Sequence, residues 1–318
     1  MAVTGKHPTY LWLNGERIRW EDGTIHVSEM GWSTIGAVFE GIRGYWNADQ
    51  GELYVFRLQE HMERLARSMK LVRLPLRYTL DELTEATLDL LRANEDRADT
   101  YIFPLAYSAN SYTSRYDRPD VQAALQILTR PMPSHLNSGL KYKAKVSSWR
   151  RISEDVMPPR VKNISNYRNG QLARMESALD GYDTSLIINN VGKVSEAPGA
   201  CVMLVRDGKL ITPDLTSGIL ESITRDALLT LAREELGMAI EERQVDRTEL
   251  YVADEVFLCG TAAEISPVVS IDHYDIGTGE TGPVTLRLEH LFERVLRGQE
   301  SRYSHWNTPA GVREAVAV

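Results

Sequence analysis

The sequence predicts an α+β protein of two domains, each a mainly antiparallel sheet with flanking helices. Three observations carry that expectation. Extended segments arrive as hairpins rather than as strand–helix–strand units, and no GxGxxG follows a strand. A loop-like run at residues 131–138 (PMPSHLNS) also separates two sets of periodic segments. The expected division is a small domain over residues 1–130, a connecting loop over 131–139 and a larger domain over 140–318.

The elements follow in chain order. Residues 10–13 and 17–20 flank Asn14-Gly15, a pair suited to the two positive φ angles of a type I′ hairpin turn. From Leu58, the apolar residues Met62, Leu65, Ala66 and Met69 recur at helical spacing. Thr79 with Glu82 three residues later is a capping box, opening a helix through Leu83, Leu88 and Leu91. Residues 142–148 read as a strand, and 171–179 as a helix closed by Gly181. Strands are expected at 186–190, 193–195, 202–205 and 209–212, with Asp207-Gly208 turning the last pair. Residues 223–236 read as a helix ending at Gly237, and 255–258 as a strand running into Gly260-Thr261-Ala262-Ala263.

Charge and composition remove several functional classes. The net charge of -8, with no concentrated basic run, argues against nucleic-acid binding, which draws its affinity from neutralised phosphates. Two cysteines, Cys201 and Cys259, form no metal-ligand spacing, so no zinc site is expected and both should be reduced thiols. No apolar run approaches the ~20 residues of a membrane span, and the first residues lack the apolar core of a signal peptide. The expectation is a cytoplasmic protein.

Several residues invite chemistry, and each has an ordinary alternative. Lys162, in RVKNISNYRNG, lies at the end of an extended stretch just before a helix. A nucleophilic lysine must be partly deprotonated by burial or by a nearby cation, for which Arg160 and Arg168 are candidates. A lysine in such a stretch is otherwise a surface residue. Residues 220–226 (LESITRD) begin a helix whose first N–H groups suit an anion, or simply a Ser cap. The small residues 260–263 form a tight turn whose amides suit a ligand, or merely end a strand. Glu196 follows a strand and precedes Pro-Gly, and Arg64 lies on the helix begun at Leu58. A solvated turn carboxylate and a surface arginine are the default readings of those two.

Together these segments are specific. The collinear series FEGIR, FRLQEHMERL, SSWRR, VKNISNY, GYDTSL, GKVSE, DGKLITPDLTSGILESITRD and YVADEVFLCGTAAEISPV resembles the branched-chain amino-acid aminotransferases, which are fold type IV pyridoxal-phosphate enzymes. The resemblance runs over nearly the whole chain. It implies a two-domain fold type IV architecture, the larger domain carrying the cofactor lysine, and pyridoxal 5'-phosphate as cofactor. Lys162 matches the lysine that carries the cofactor and moves the substrate proton, and Glu196 matches the partner of the pyridinium nitrogen. Tyr167 matches the tyrosine on the phenolic oxygen, and Arg64 the arginine on the phosphate. Ile223 and Thr224 match backbone donors to the phosphate, Thr261 a further phosphate contact, and Leu220 the leucine packed on the ring. Phe39, Tyr101, Phe103, Thr261 and Ala262 fall at positions that contact substrate. The reaction implied is ping-pong transfer of an amino group from a branched-chain L-amino acid to 2-oxoglutarate, by a homodimer or larger homo-oligomer.

The sequence departs from this pattern at three places. Where the branched-chain enzymes read Tyr-Ile-Arg-Pro-Leu, this chain has Phe103 in place of the arginine, which removes a charge-assisted contact worth about 1.5–3 kcal/mol. Thr34 replaces a pocket aromatic, and Ala200-Cys201 replaces Glu-Asn. Arg115 and Arg118, in the loop 108–120, are candidates to supply the missing cation. The departures keep open an (R)-amine or D-amino-acid transaminase, with an aminodeoxychorismate-lyase-like enzyme and a non-enzymatic cofactor-binding protein as further alternatives.

Overall fold

A computed structural model describes residues 7–109 and 121–312, so Arg115 and Arg118 lie outside the described residues. The chain forms two compact units. The first comprises Met1–Ser134, Val161–Ser165 and Arg294–Val318; the second comprises His135–Arg160 and Asn166–Glu293.

This division corrects the linear one in two places. The segment bearing Lys162, expected in the larger domain, belongs to the first unit. Phe39 N–H donates to Lys162 O (3.0 Å), Ile164 N–H donates to Ala37 O (2.9 Å), and Val38 pairs with Asn163. The residues from Arg294 onward also return to the first unit, because Asn307–Pro309 pairs with Glu52–Phe56 as a sheet edge. Both are long-range pairings that local sequence patterns do not report.

The sheet of the first unit runs in the order Asn307–Pro309, Glu52–Phe56, Ile42–Asn47, Thr100–Ala109, Gln122–Pro131, Tyr10–Leu13, Glu16–Arg19, every pair antiparallel. The expected Asn14-Gly15 turn joins the last two, with φ of 52° and 103°. Helices Leu58–Leu71 and Leu80–Asn94 bury Leu58, Met62, Leu65, Met69, Leu83 and Leu91 against Ile42, Val55, Ile102 and Ile127. The capping box is present: Glu82 N–H donates to Thr79 Oγ1 and Thr79 N–H to Glu82 Oε2. A helix at Val27–Ile35, with little apolar periodicity to signal it, was not expected.

Strand Thr100–Ala109 alternates strictly: Ile102 and Ala106 enter the core, whereas Tyr101, Phe103 and Leu105 occupy the half-buried opposite face. Pro104 lacks an N–H, yet sits in an interior strand. It is tolerated because its neighbours on one side, Val38–Phe39 and Ile42–Asn47, break at Glu40-Gly41. There the bond runs the other way, from Glu40 N–H to Pro104 O (2.9 Å). A Cβ at Gly41 would stand 2.4 Å from the Tyr101 hydroxyl oxygen, so a larger residue at the break would force that ring to shift.

The second unit holds a sheet in the order Ala239–Glu242, Lys209–Thr212, Ala200–Arg206, Glu255–Gly260, Glu264–Ile271, Tyr142–Arg150, Thr184–Ile188. Its pairings are antiparallel in the middle, but three are parallel, more mixed than the sequence suggested. Parallel neighbours need long crossovers, which helices Tyr167–Leu179 and Ile223–Glu234 supply for two of them. The first helix ends in a Schellman motif: Tyr182 N–H donates to Ser177 O (2.9 Å), Gly181 N–H to Ala178 O (3.2 Å), with Gly181 at φ 81°. Residues 193–195 make only isolated bridges instead of the expected strand, and helix Pro283–Leu296 was not foreseen.

Candidate active site

The structure sorts the sequence-derived candidates into two groups, one in each unit. Lys162, Arg64, Phe39, Tyr101 and Phe103 are in the first; Tyr167, Glu196, Leu220, Ile223, Thr224, Thr261 and Ala262 are in the second.

In the first unit, Lys162 is buried at 9% exposure. Its carbonyl is bonded by Phe39 N–H, and its own N–H reaches Ser68 Oγ at 3.4 Å. The Lys162 amine lies 4.7 Å from the centroid of the Phe39 ring, a cation–π distance. Phe39 packs on Phe103 (5.4 Å), Phe103 stacks on Tyr101 (6.3 Å), and the Arg130 guanidinium covers Tyr101 (4.7 Å). An aromatic wall therefore extends from the amine along the half-buried face of the sheet. Of the two cations suggested for Lys162, Arg160 pairs with Glu221 and Glu154, and Arg168 lies exposed on its helix, both in the second unit.

Arg64 is a buried residue rather than a surface one, and its partner is Glu40. Arg64 Nε and Nη2 donate to Glu40 Oε1 and Oε2, both at 2.7 Å, and His61 Nδ1 lies 2.8 Å from Oε2. His61 and Arg64 are one helical turn apart, so both reach the carboxylate at the Glu40-Gly41 break. Burial opposes ionisation of Glu40, but the Arg64 charge, the Arg64 bonds and the His61 bond outweigh it, holding the group well below the ordinary carboxylate range. His61 is pushed down, first by burial and further by the charges of Arg64 and Lys162, against the pull of Glu40. A neutral ring donates through Nδ1 and keeps its lone pair on Nε2. Glu40 and His61 stand in the motifs FEGIR and FRLQEHMERL, but no local signal marked them.

In the second unit, Glu196 is buried in the short strand Glu196–Ala197. Pro198-Gly199, with Gly199 at φ 82°, turns that strand back onto Ala200 in the manner of a type II turn. Glu196 Oε1 pairs with Arg151 Nη2 (2.8 Å) and Oε2 accepts from Leu220 N–H (2.9 Å). Arg151 is anchored in turn by its Nε–H on Gly218 O (3.1 Å). The motif SSWRR contains Arg151 but gives it no role by itself; an arginine is an expected companion for a buried carboxylate. Tyr167 begins its helix beside Gly199, its ring carbon 3.7 Å from where a Cβ would lie.

Ser222 caps helix Ile223–Glu234, its Oγ accepting from Arg225 N–H (3.2 Å), and Ile223 and Thr224 are both buried at the first turn. Arg225 turns inward to Glu242, Pro213 O and Thr212 Oγ1. Thr261, Ala262 and Ala263 form the loop between Glu255–Gly260 and Glu264–Ile271, with Thr261 half-buried and Ala262 exposed.

Chemically, the first unit offers a buried primary amine and a buried guanidinium, and the second a buried carboxylate fixed by a guanidinium, a phenol and a helix start. These are the groups needed for an aldehyde carbon, a protonated ring nitrogen, a phenolic oxygen and a phosphate. They fit pyridoxal phosphate.

Comparison with known proteins agrees with this chemistry. Residues 37–271 match the family model described as Amino-transferase class IV. A probable branched-chain-amino-acid aminotransferase of Aquifex aeolicus is 39% identical over 301 residues, covering 94% of this chain and 96% of that protein. The PLP-form of the branched-chain amino acid aminotransferase from Thermobaculum terrenum superposes with a TM-score of 0.93 at 51% identity, covering 96% and 99% of the two chains. A third branched-chain amino acid aminotransferase, the T.th. enzyme complexed with N-(5'-phosphopyridoxyl)-L-glutamate, gives a TM-score of 0.89 at 34% identity, over 96% and 99%. The chain belongs to the class IV aminotransferases and, among them, to the branched-chain aminotransferase family.

Proposed function

We propose that this enzyme uses pyridoxal 5'-phosphate to move an amino group from a branched-chain L-amino acid to 2-oxoglutarate by a ping-pong mechanism. The observation that carries the reading is the buried Lys162 amine against the aromatic wall of Phe39, Phe103 and Tyr101. That wall suits an apolar side chain such as leucine's. The 2-oxoglutarate partner is supported by the relative solved as its phosphopyridoxyl-glutamate complex.

When bound, the cofactor supplies an electron sink for negative charge at the substrate α-carbon. Lys162 would hold the cofactor, and its Nζ would take the proton from the α-carbon and return it. Glu196, its charge fixed by Arg151 and Leu220 N–H, would keep the ring nitrogen protonated. Tyr167 would donate to the phenolic oxygen, and Leu220 would pack on the ring. Arg64, Thr261 and the N–H groups of Ile223 and Thr224 would bind the phosphate. Burial of the amine and guanidinium excludes water that would otherwise weaken these charge interactions.

A second reading is favoured by Phe103 itself. It presents a ring beside Phe39 where the branched-chain pattern has an arginine, which suits donors lacking a carboxylate, such as (R)-arylalkylamines. Keto-product release from a panel of L-amino acids, D-amino acids and (R)-amines tests both. Leucine, valine and isoleucine as the fastest donors would support the first reading; absence of turnover with all three would exclude it.

We further propose a cytoplasmic homodimer. Exposed apolar residues on helix Val27–Ile35 (Val27, Met30, Trp32 and Ile35) support association, and Cys201 and Cys259 are both free thiols. Among the described residues, no helix is long and apolar enough to cross a membrane.

A further inference from the structure

Strands Glu255–Gly260 and Glu264–Ile271 are joined by three residues, with Gly260 opposite Glu264. Loops of this length close through a residue in the left-handed region, where glycine is the usual choice. Here Glu264 takes that conformation at φ 45°, although an L side chain pays for it in strain. Its side chain is buried, and Oε2 accepts from His135 backbone N–H (2.8 Å) and lies 3.0 Å from His135 Nδ1. On the far side of the ring, Nε2 lies 2.9 Å from Ala263 O and 3.3 Å from Ser266 Oγ. The Ser266 hydroxyl donates to the same carbonyl (2.8 Å), so its hydrogen is already engaged.

The His135 ring therefore bridges the Glu264 carboxylate on one side and the Ala263 carbonyl on the other. Glu264 faces the ring directly, and its charge also acts on Glu289, which lies on helix Pro283–Leu296 with Glu293. Glu289 bonds Asn137 N–H, and Glu293 accepts from the Asn137 side chain.

We propose that His135 is a positioning residue that clamps the Thr261–Ala262–Ala263 turn for binding the anionic groups of cofactor and substrate. It ties the last carbonyl of the turn to the carboxylate of the residue that follows, fixing the peptide planes from which Thr261 and Ala262 project. The inference rests on the proposed role of that turn as a phosphate and carboxylate contact.

One comparison on the holoenzyme tests it. His135→Gln should raise KM for 2-oxoglutarate and the dissociation constant of pyridoxal phosphate by about three- to tenfold, the scale of one lost hydrogen bond, with kcat changed less than about twofold. Thr261→Ala serves as reference. If it weakens both while His135→Gln matches the parent, the clamp is wrong. If Thr261→Ala itself changes neither, the role assigned to the turn is wrong, whatever His135 does.

Discussion

Replacing Glu40 by glutamine removes one charge at the centre of the first unit and keeps the shape. In the parent, the carboxylate receives three donors, two from Arg64 and one from His61, at 2.7–2.8 Å. The glutamine amide has one oxygen and one NH₂, so at least one donor would face another donor. Arg64, at 4% exposure, would keep its charge while losing that of Glu40. Breaking a buried pair from one side costs about 3–5 kcal/mol, which lowers the melting temperature of a unit this size by roughly 6–20 °C. The pH range of the penalty follows from its sign. Glu40 ionises below its ordinary value in the fold, so its contribution is present above the usual carboxylate range and disappears only in stronger acid. The penalty of Glu40→Gln should thus be constant between about pH 6 and pH 8. If Arg64 binds the cofactor phosphate, the holoenzyme should lose less than the apoenzyme, because the phosphate supplies the missing negative charge. Differential scanning calorimetry of both forms decides the matter. A melting temperature within about 2 °C of the parent in the apoenzyme would refute the ion-pair argument. An equal loss in both forms would refute the link between Arg64 and phosphate.

Phe103→Arg should move the ratio of kcat/KM for leucine over an (R)-arylalkylamine upward by roughly 10- to 150-fold, the value of one charge-assisted contact of about 1.5–3 kcal/mol; an unmoved ratio places substrate carboxylate recognition elsewhere. Glu289→Gln tests a buried acid that burial, with help from Glu264 and Glu293 and against Asn137 N–H, pushes up to about 7 from an ordinary 4.5. Because the folded value is raised, the parent loses stability as pH climbs through that window, so the variant should be more stable at pH 8 by up to ~3 kcal/mol and equal to it near pH 4.5. Urea unfolding at the two pH values reads the difference, and a variant no more stable at pH 8 would contradict the burial argument.

The elements legible in the sequence were those set by local rules. Asn14-Gly15 supplied two positive φ angles, Thr79 and Glu82 closed a capping box, and Gly181 completed a Schellman motif. Tyr101 and Phe103 share a strand face, as their spacing required. What escaped was non-local. Nothing around Lys162 tells that the backbone of residues 162–164 bonds to residues 37–39, or that Asn307–Pro309 closes the edge of the first sheet. The parallel pairs of the second sheet escaped because their strands are separated by long crossovers. The family motifs nominate Arg64 and Glu196, but do not mark the side chains that pair with them. Glu40 behind Arg64 and Arg151 behind Glu196 are ordinary charged residues until the fold buries them.

The central claim is that Lys162 carries the cofactor. Borohydride reduction of the holoenzyme, which fixes a lysine-bound cofactor irreversibly, followed by peptide mapping tests it directly. A single pyridoxyl-labelled peptide containing Lys162 is expected, absent from Lys162→Ala, which should retain the fold but no transamination. A label on any other lysine, or a Lys162→Ala protein that transaminates near the parental rate, would contradict it.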